Sequence, residues 1–575
     1  MAGTVALIGA EFEENLSIRY LAAAVQQDGF QAVLFPFNER ADADSIIRGV
    51  AELDPMVVGI SVPFQTRAPE LLALADRLKA QGVEAPVVVV GHFATFEHAN
   101  ILRDFPSVDF IVRHEGESAL RDLCATLSSR TGGGTGGSSP LPGLVGRGSK
   151  GEIENGGKRP LPPLDELPFP DRRGAPHEVV GVPTAPIVGS RGCYADCAFC
   201  CIYAYADNAH GARYRMRSPE SIAAEMKEEY HERGVRLFIF HDDNFFVPSV
   251  QKNLDRYTRL GDLLRQAGLD DIGLVVKCRP NDVNRELFAL LRSMGMIRAY
   301  VGIETNSGEG VVSLNRRITP ADNRAALELL DAMGVYCSFN VLIFDPEATV
   351  EGIATNLTFM ESFAHVPFNF CRTEVYAGTP LKVILEQQGR LRGDYMAWTY
   401  EMRDPRVEVL FRMATTAFMA RNFRSDGVAN LNMGIRFDNE VMRRFYPDCW
   451  DPAWHEGLMG LSRRIGLDGV ALMREALAFV LRADLADHDE VKAFTVDLAR
   501  RVARADLGFV GEMKERRREM ERRIASAGVD ATKKDYPHGL PVWAAETARL
   551  RGSVGSGLST ELLPPPSLVQ QSPGA

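Results

Sequence analysis

One stretch constrains this chain more than any other: Arg191-Gly192-Cys193-Tyr194-Ala195-Asp196-Cys197-Ala198-Phe199-Cys200. Its three cysteines have C-x3-C-x2-C spacing, and the apolar run just before them, 186–189, is typical of a strand. Such a loop can bind three of the four irons of an iron–sulfur cluster, which leaves one iron open to a further ligand. The alternative is chance clustering or a zinc site, but zinc needs a fourth Cys or His, and Cys201 directly follows Cys200 and cannot easily reach the same metal. The spacing therefore predicts a cluster with an open coordination site.

The cysteine spacing, with the aromatic Phe199 directly before the last cysteine, resembles the signature of the radical S-adenosylmethionine (SAM) superfamily. The resemblance implies that Cys193, Cys197 and Cys200 hold a [4Fe–4S] cluster, that SAM binds the open iron, and that Phe199 lies in the SAM site. It also implies that one electron, from a donor such as flavodoxin or ferredoxin, cleaves SAM to a 5′-deoxyadenosyl radical that abstracts hydrogen from a substrate.

Composition narrows the class of protein. A chain of 575 residues is too long for one ordinary core, so we expect about three domains. Its hydrophobic content of 45% and charged content of 25% are typical of globular proteins, and its net charge of −11 provides no positive surface for nucleic acid. No stretch is apolar enough to cross a membrane, and the N-terminus lacks the basic region of a signal peptide. We expect a cytoplasmic protein whose nine cysteines are reduced.

Residues 1–128 predict a doubly wound, flavodoxin-like sheet. Helical patterns, such as Asn15 to Gln27 and Pro69 to Ala80, separate short apolar runs, and continuous runs of this length suit strands that are buried on both faces. The five predicted strands are Val5–Ile8, Ala32–Phe35, Val57–Ile60, Val87–Val90 and Phe110–Val112. In such a sheet, ligands bind outside the carboxyl ends of the strands.

Those carboxyl ends carry Ser61-Val62-Pro63-Phe64-Gln65, Gly91-His92-Phe93-Ala94-Thr95 and Arg113-His114-Glu115-Gly116-Glu117. Each alone reads as an ordinary turn, but together they resemble the cobalamin-binding domain that precedes the barrel in one radical SAM class. The resemblance implies cobalamin contacts from Ser61, Pro63, Gln65, Gly91, His92, Thr95, Glu115 and Gly116. The Asp-x-His-x-x-Gly motif of mutase-type domains is absent, so we expect a displaced nucleotide tail and no histidine below the cobalt.

The rest of the chain predicts a linker, a barrel and a helical domain. Residues 129–175 are rich in Gly and Pro and form the predicted linker. Residues 176–380 repeat strand and helix six times, as in a partial (β/α)6 TIM-like barrel of the radical SAM type. The predicted strands are 185–189, 237–240, 273–277, 299–303, 337–344 and 369–374. Residues 381–550 are mostly helical by pattern, and residues 551–575 are predicted to be disordered.

Polar residues at the carboxyl ends of the barrel strands are candidates for SAM binding, since reactive loops of barrels lie there. By resemblance, Asp243 would hold the methionyl amine or a neighbouring hydroxyl, Glu304 the ribose, and Arg317 the methionyl carboxylate. Ile343 belongs to the strand that would back the adenine. A helix cap is the alternative role for Asp243, and a surface salt bridge is the alternative for Arg317.

These patterns favour a cobalamin-dependent radical SAM C-methyltransferase that acts on a small biosynthetic intermediate. A cyclase or rearrangement enzyme with the same cofactors, without methyl transfer, is the first alternative, and a non-catalytic corrinoid-binding regulator is a remote one. Methylthiolation enzymes are excluded, because they need three further cysteines in the N-terminal domain, which here has only Cys124. The sequence identifies neither the substrate nor a catalytic acid or base.

Overall fold

The structure, a computed structural model, describes residues 3–129, 141–148, 150–209, 211–526 and 528. The described chain contains the following strands: β1 (Thr4–Gly9), β2 (Gln31–Pro36), β3 (Val57–Ser61), β4 (Val87–Val90), β5 (Phe110–Val112), β6 (Leu144–Arg147), β7 (Ile153–Asn155), β8 (His177–Val179), β9 (Val182–Ile187), β10 (Ser190–Gly192), β11 (Tyr214–Met216), β12 (Leu237–Phe240), β13 (Gly273–Cys278), β14 (Met296–Val301), β15 (Tyr336–Phe344) and β16 (Phe368–Arg372).

The helices of the described chain are α1 (Leu16–Gln27), α2 (Ala43–Leu53), α3 (Ala68–Ala80), α4 (His92–Asp104), α5 (Glu117–Ser129), α6 (Cys201–Asn208), α7 (Pro219–Arg233), α8 (Val250–Gln266), α9 (Arg285–Ser293), α10 (Gly308–Ser313), α11 (Pro320–Ala332), α12 (Val350–Ser362), α13 (Pro380–Gln387), α14 (Pro405–Phe423), α15 (Val428–Phe445), α16 (Pro452–Arg482) and α17 (His488–Ala525). None of them combines the length and apolar character needed to cross a bilayer.

The chain divides into two compact units that do not follow chain order. The first unit contains the described residues of Met1–Ala175, Ser190–Ser221 and Val375–Thr399, and the second contains those of Pro176–Gly189, Ile222–Glu374 and Tyr400–Ala575. The cysteine loop therefore belongs to the same unit as the N-terminal sheet, whereas the sequence alone assigns it to the barrel domain. The domain boundaries expected from the sequence stay a prediction.

The sheet of the first unit has the order β2-β1-β3-β4-β5-β6-β7, and its first five strands are parallel. These are the five predicted strands in the order of a doubly wound fold, and every residue of β3 and β4 is buried. β6 and β7 extend the sheet in antiparallel orientation, within the segment predicted as a linker. Residues 130–140 of that predicted linker lie outside the described residues.

The sheet of the second unit has the order β16-β15-β14-β13-β12-β9-β8. β9 and β12–β16 are parallel and are the six predicted barrel strands, and β8 adds an antiparallel edge. Helix starts follow local capping chemistry; for example, Thr319 and Asp322 form a capping box at the start of α11, directly before Pro320. The expected α/β fold class is confirmed.

Four long helices, α14–α17, follow the second sheet and confirm the expected helical region. Helices α15–α17 share one apolar cluster with residues of the strands, in which the strand side chains include Leu237, Val275 and Ile297, and the helix side chains include Ile435 and Leu461. This cluster covers one face of the sheet near the amino ends of its strands. The predicted tail, residues 551–575, lies outside the described residues.

Candidate functional site

The cysteine loop begins in a short antiparallel hairpin of β10 and β11. Gly192 pairs with Tyr214 and has φ +89°, a conformation that favours glycine. A Cβ at Gly192 would lie 1.9 Å from the carbonyl oxygen of Arg213, so no larger residue fits. The glycine before the first cysteine is thus required by the close approach of the two strands.

The three cysteines follow within one compact turn. Cys197 is buried, while Cys193 and Cys200 are half-buried, as is Phe199. The Cys200 amide donates to the Cys197 carbonyl at 3.1 Å, and α6 begins at the next residue. In the described residues, no three His, Cys, Asp or Glu side chains converge on a single metal ion. Three thiols on one loop, none of them in a disulfide, are the donor set of an iron–sulfur cluster, in which each thiolate binds its own iron.

An ion-pair network joins this hairpin to the loop after β5. Arg191 Nη1 lies 2.9 Å from Glu115 Oε2, and Arg191 Nη2 lies 2.7 Å from Glu117 Oε1. Arg215 of β11 also pairs with Glu115. The Arg191 guanidinium stacks over the ring of Tyr20 at 4.9 Å. The network thus connects both strands of the cysteine hairpin to the carboxyl edge of the first sheet.

The pKa values of this network follow from its burial and its charges. Burial alone would raise the pKa of Glu117, but the positive charge of Arg191 and its hydrogen bond outweigh burial, so that pKa is lowered. Burial opposes the charged form of Arg191, yet Glu117 and Glu115 raise its pKa above the usual value. Both groups are therefore charged at neutral pH.

The loops after β4 and β5 meet at Thr95. Its hydroxyl donates to the Gly91 carbonyl at 2.9 Å and accepts from the His114 amide at 2.8 Å. Gly91 has φ +117°, and a Cβ there would lie 2.6 Å from the Val62 carbonyl oxygen. The three strand ends that are predicted to bind cobalamin therefore lie together.

One buried polar atom at this edge accepts no hydrogen bond from the described residues, namely Gln65 Oε1. The ring of His114 lies close to the backbone of Tyr205, which acts as a hydrogen-bond partner. Burial lowers the pKa of His92 to about 4, and burial followed by the charge of Arg113 lowers the pKa of His114 to about 4, so both imidazoles are neutral near pH 7. An unpartnered amide oxygen beside neutral imidazoles fits a large uncharged ligand with amide groups, which is the chemistry of a corrin periphery.

Tyr205 of α6 contacts both histidines. Its ring centroid lies 4.2 Å from that of His92 and 5.0 Å from that of His114. Tyr205 lies on α6, five residues after Cys200, so this short helix connects the cysteine loop to the two histidines of the surface that would bind cobalamin. The sequence gives no signal for this role, since an aromatic residue on a short helix is ordinary.

The other predicted cobalamin contacts lie at the same carboxyl edge. Ser61 is buried, with its hydroxyl 3.4 Å from that of Ser17. Pro63 is half-buried in the loop after β3, and Gly116 directly precedes α5. The first unit thus brings together all eight predicted positions.

In the second unit, two adjacent aspartates in the loop after β12 differ in their exposure. Asp242 is buried, and its Oδ1 accepts from the Gly189 amide at 2.6 Å, which ties the end of β9 to the end of β12. Asp243, the predicted SAM contact, is exposed. The structure therefore gives Asp242 a structural role and leaves the side chain of Asp243 accessible.

Glu304 lies after β14 in a constrained backbone, with φ +64°. Burial raises its pKa, and the charges of Arg316 and Arg279 oppose that rise. Arg316 is buried and donates to the Gly302 carbonyl, whereas the predicted Arg317 is exposed. A carboxylate near Arg316 and Arg279 fits the ribose hydroxyls of SAM. The role of Arg317 at the methionyl carboxylate stays a prediction.

Ile343, the predicted neighbour of the adenine, is fully buried in β15. It therefore contributes apolar packing within β15. The same strand contacts Glu304, whose amide donates to the Asn340 carbonyl of β15 at 3.1 Å.

Two family profiles match the sequence. The B12 binding domain matches residues 6–124, and the Radical SAM superfamily matches residues 187–355. An uncharacterized methyltransferase of Pyrococcus horikoshii is 26% identical over 372 residues, covering 64% of this chain and 77% of the relative. The hopanoid C-3 methylase of Methylococcus capsulatus is 28% identical over 340 residues, covering 58% of this chain and 61% of the relative.

A solved structure has a similar fold. The cobalamin-dependent S-adenosylmethionine radical enzyme OxsB, with aqua-cobalamin bound, matches with a TM-score of 0.63 and 16% sequence identity. The match covers 91% of this chain and 80% of that chain. At this identity, the likeness concerns the fold.

Proposed function

We propose that this chain, whose sequence matches the B12 binding domain at residues 6–124 and the Radical SAM superfamily at residues 187–355, is a cobalamin-dependent C-methyltransferase of a small-molecule biosynthetic intermediate. One observation carries the proposal: the hairpin that bears the cysteines is ion-paired, through Arg191, to Glu115 and Glu117 at the carboxyl edge of the first sheet. The residues that suit a cluster and the residues that suit a corrin therefore belong to one compact unit.

The residues present fit the three groups that such an enzyme uses. Cys193, Cys197 and Cys200 would hold the cluster, Glu304 would bind the ribose of SAM, and Asp243 is accessible to its methionyl end. The cobalamin would be held by the residues that meet at the edge of the first sheet: Ser61, Pro63, Gln65, Gly91, His92, Thr95, Glu115 and Gly116. When bound, the cluster with SAM supplies a radical that removes hydrogen, and cobalamin supplies the methyl group.

The chain's own residues position these groups and exclude water. Neutral His92 and His114 offer hydrogen-bonding rings without adding charge next to the corrin. Charged Arg191 holds the cysteine hairpin by two carboxylates at once, which limits its movement. Burial of Cys197 protects the loop from solvent, as radical chemistry requires.

The proposal is tested with SAM that carries an isotopic label in its methyl group. Reconstituted, anaerobic enzyme should transfer the label to a substrate carbon. Cys197→Ala should lose cluster iron and SAM cleavage. Cys201→Ala, which removes the thiol next to Cys200, should keep both. Iron content and 5′-deoxyadenosine report the two effects. Full SAM cleavage by Cys197→Ala would contradict the cluster role of Cys197, and cobalamin binding without any SAM cleavage by the unsubstituted protein would favour the corrinoid-binding regulator.

A cyclase or rearrangement enzyme with the same cofactors is the second candidate. The fold is shared with a cobalamin-dependent radical enzyme whose name states no methyl transfer, so the fold does not separate the two. A product without the label, formed together with 5′-deoxyadenosine, would identify this alternative.

The proposed electron donor is a reduced flavodoxin or ferredoxin, and the proposed compartment is the cytoplasm. None of the nine cysteines forms a disulfide, and thiols that ligate a cluster need a reducing compartment. Replacing a chemical reductant by reduced flavodoxin in the labelled assay tests the donor.

A further inference from the structure

Three neighbouring strands of the second sheet each have one partly accessible residue. The three residues lie at similar positions along their strands. These are Lys277 in β13, Tyr300 in β14 and Asn340 in β15, whereas every other residue of these strands is buried. Lys277 is the Cα partner of Tyr300, and Tyr300 is the partner of Ser338, two residues before Asn340. Because side chains alternate along a strand, all three project from the same face of the sheet.

This is the face that α15 covers nearer the amino ends of the strands. Tyr336, two residues before Ser338, donates its hydroxyl to the Met433 carbonyl of α15 at 2.8 Å. Arg298, two residues before Tyr300, lies 4.9 Å from the ring of Phe437 on the same helix. Alternate residues of β15 pack against α12 on the other face. The accessible residues therefore line a recess that begins where α15 ends its cover.

The wall of this recess on β16 is a carboxamide. Asn369 is the Cα partner of Asn340, so two carboxamides lie side by side on the same face of the sheet as Lys277 and Tyr300. Asn369 is only 9% exposed, and its Oδ1 has no hydrogen bond from any described residue. A buried polar atom without a partner costs stability unless a ligand or water satisfies it.

The recess adjoins the residue that would bind SAM. The backbone amide of Glu304, the proposed ribose contact, donates to the backbone carbonyl of Asn340 at 3.1 Å. Asn340, whose side chain is partly accessible, is therefore a direct neighbour of Glu304 in the sheet. A substrate in the recess would therefore lie beside the cofactor that starts the reaction, as proximity catalysis requires.

We infer that this polar recess, defined by Lys277, Tyr300, Asn340 and Asn369, binds the substrate, and that the substrate is a water-soluble metabolite rather than a hydrocarbon lipid. The inference rests on the proposed function and adds the chemical class of the substrate. Hydroxyl or amide groups of the metabolite donate to Asn369 Oδ1, and its oxygen atoms accept from the carboxamide nitrogen of Asn340. A hydrocarbon would instead seal the unpartnered Asn369 oxygen away from water, which is unfavourable.

The experiment supplies two fractions of a cell extract to the anaerobic holoenzyme with methyl-labelled SAM. One fraction contains water-soluble metabolites, and the other contains chloroform-soluble lipids. Mass spectrometry follows both the labelled products and any compound that is consumed. We expect the consumed compound, and the label, in the aqueous fraction.

Variants then test the recess with the aqueous substrate. Asn369→Leu keeps the side-chain size but removes the carboxamide, and it should raise KM by about tenfold or more. Its iron and cobalamin content show whether it is folded and loaded. Asn422→Leu is the matched control, because Asn422 is also a buried carboxamide and donates to the Phe370 carbonyl of β16 at 2.8 Å. It should lower thermal stability without raising KM.

The outcomes separate this inference from the proposed function. A labelled lipid product would overturn the inference and leave methyl transfer standing. An unlabelled product in the aqueous fraction would overturn methyl transfer and support the polar recess. An unchanged KM in loaded Asn369→Leu would contradict the recess, and consumption in neither fraction would contradict both proposals.

Discussion

Arg191 Nη2 lies 2.7 Å from Glu117 Oε1, and this contact joins the strand before the first cysteine to the first residue of α5. Both side chains are largely shielded, with 20% and 8% of their surfaces exposed. Arg191 also pairs with Glu115, so one guanidinium bridges two carboxylates of the same loop. The position of the cysteine hairpin on the first sheet therefore depends on charge pairing rather than on apolar packing alone.

Glu117→Gln should loosen this connection. Leaving Arg191 with Glu115 as its carboxylate partner should cost about 2 kcal/mol of unfolding free energy, because a charge-assisted hydrogen bond is replaced by a neutral one. In the loaded protein, electron paramagnetic resonance should show a weaker magnetic coupling between the reduced cluster and cob(II)alamin. The ratio of 5′-deoxyadenosine to methylated product should rise.

Asp28→Asn is the matched control for that change. Asp28 pairs with Arg121 within the same unit, at 2.9 Å, but on a more exposed surface away from the cysteine hairpin. It should change stability by less than about 1 kcal/mol and leave the magnetic coupling intact. The same coupling in Glu117→Gln and in the unsubstituted protein would show that the network does not position the loop.

His114 should make the stability of the protein depend on pH. Its pKa is lowered from 6.5 to about 4 in the fold by burial, so the unfolded chain binds more protons between these values. His114 should therefore contribute a fall of about 3 kcal/mol in the free energy of unfolding as pH decreases from about 6.5 to about 4, in addition to the contributions of His92 and His455, whose pKa values burial lowers in the same direction. Urea unfolding at several pH values measures this slope.

His114→Asn should reduce the slope between those pH values, since asparagine tolerates the φ of +66° at this position and does not titrate. His488→Asn, at the exposed start of α17, serves as the control and should leave the slope unchanged. Identical slopes in all three proteins would contradict the neutral, buried state of His114.

Gly91→Ala should destabilise the protein strongly. The added Cβ would lie 2.6 Å from the Val62 carbonyl oxygen, and the φ of +117° is unfavourable for alanine. We expect a loss of about 3 kcal/mol and weaker cobalamin retention. Gly82→Ala has φ +84° but no atom within 4 Å of the new Cβ, so its cost should be about 1 kcal/mol. Equal melting temperatures of the two variants would disprove the close approach.

Glu304→Gln should weaken SAM binding by about tenfold, because a charged hydrogen-bond acceptor becomes neutral. Anaerobic titration calorimetry measures this affinity, and iron content shows that the cluster is retained. Glu309→Gln changes an exposed carboxylate five residues further along and should bind SAM normally. Unchanged affinity in Glu304→Gln would place the ribose elsewhere.

The sequence predicts the strands and the cysteine loop well because both signals are local. Buried parallel strands need continuous apolar runs, and β1–β5 have them. The loop is recognisable because its three ligands lie within one turn of chain. The sequence does not predict the short strands β6 and β7, since each has only three or four residues and includes glycine or polar side chains.

The sequence by itself determined the two sheets, the helical region and the cysteine ligand set, because their patterns repeat over a few residues. Only the tertiary structure decided which distant side chains meet. Glu117 and Arg191 are separated by 74 residues, and no periodicity connects them. Arg316 and Arg317 are adjacent and chemically alike, yet the backbone turn around them buries Arg316 near Glu304 and exposes Arg317. Long-range contacts and side-chain direction depend on how the whole chain packs, and adjacent residues of the same type cannot reveal them.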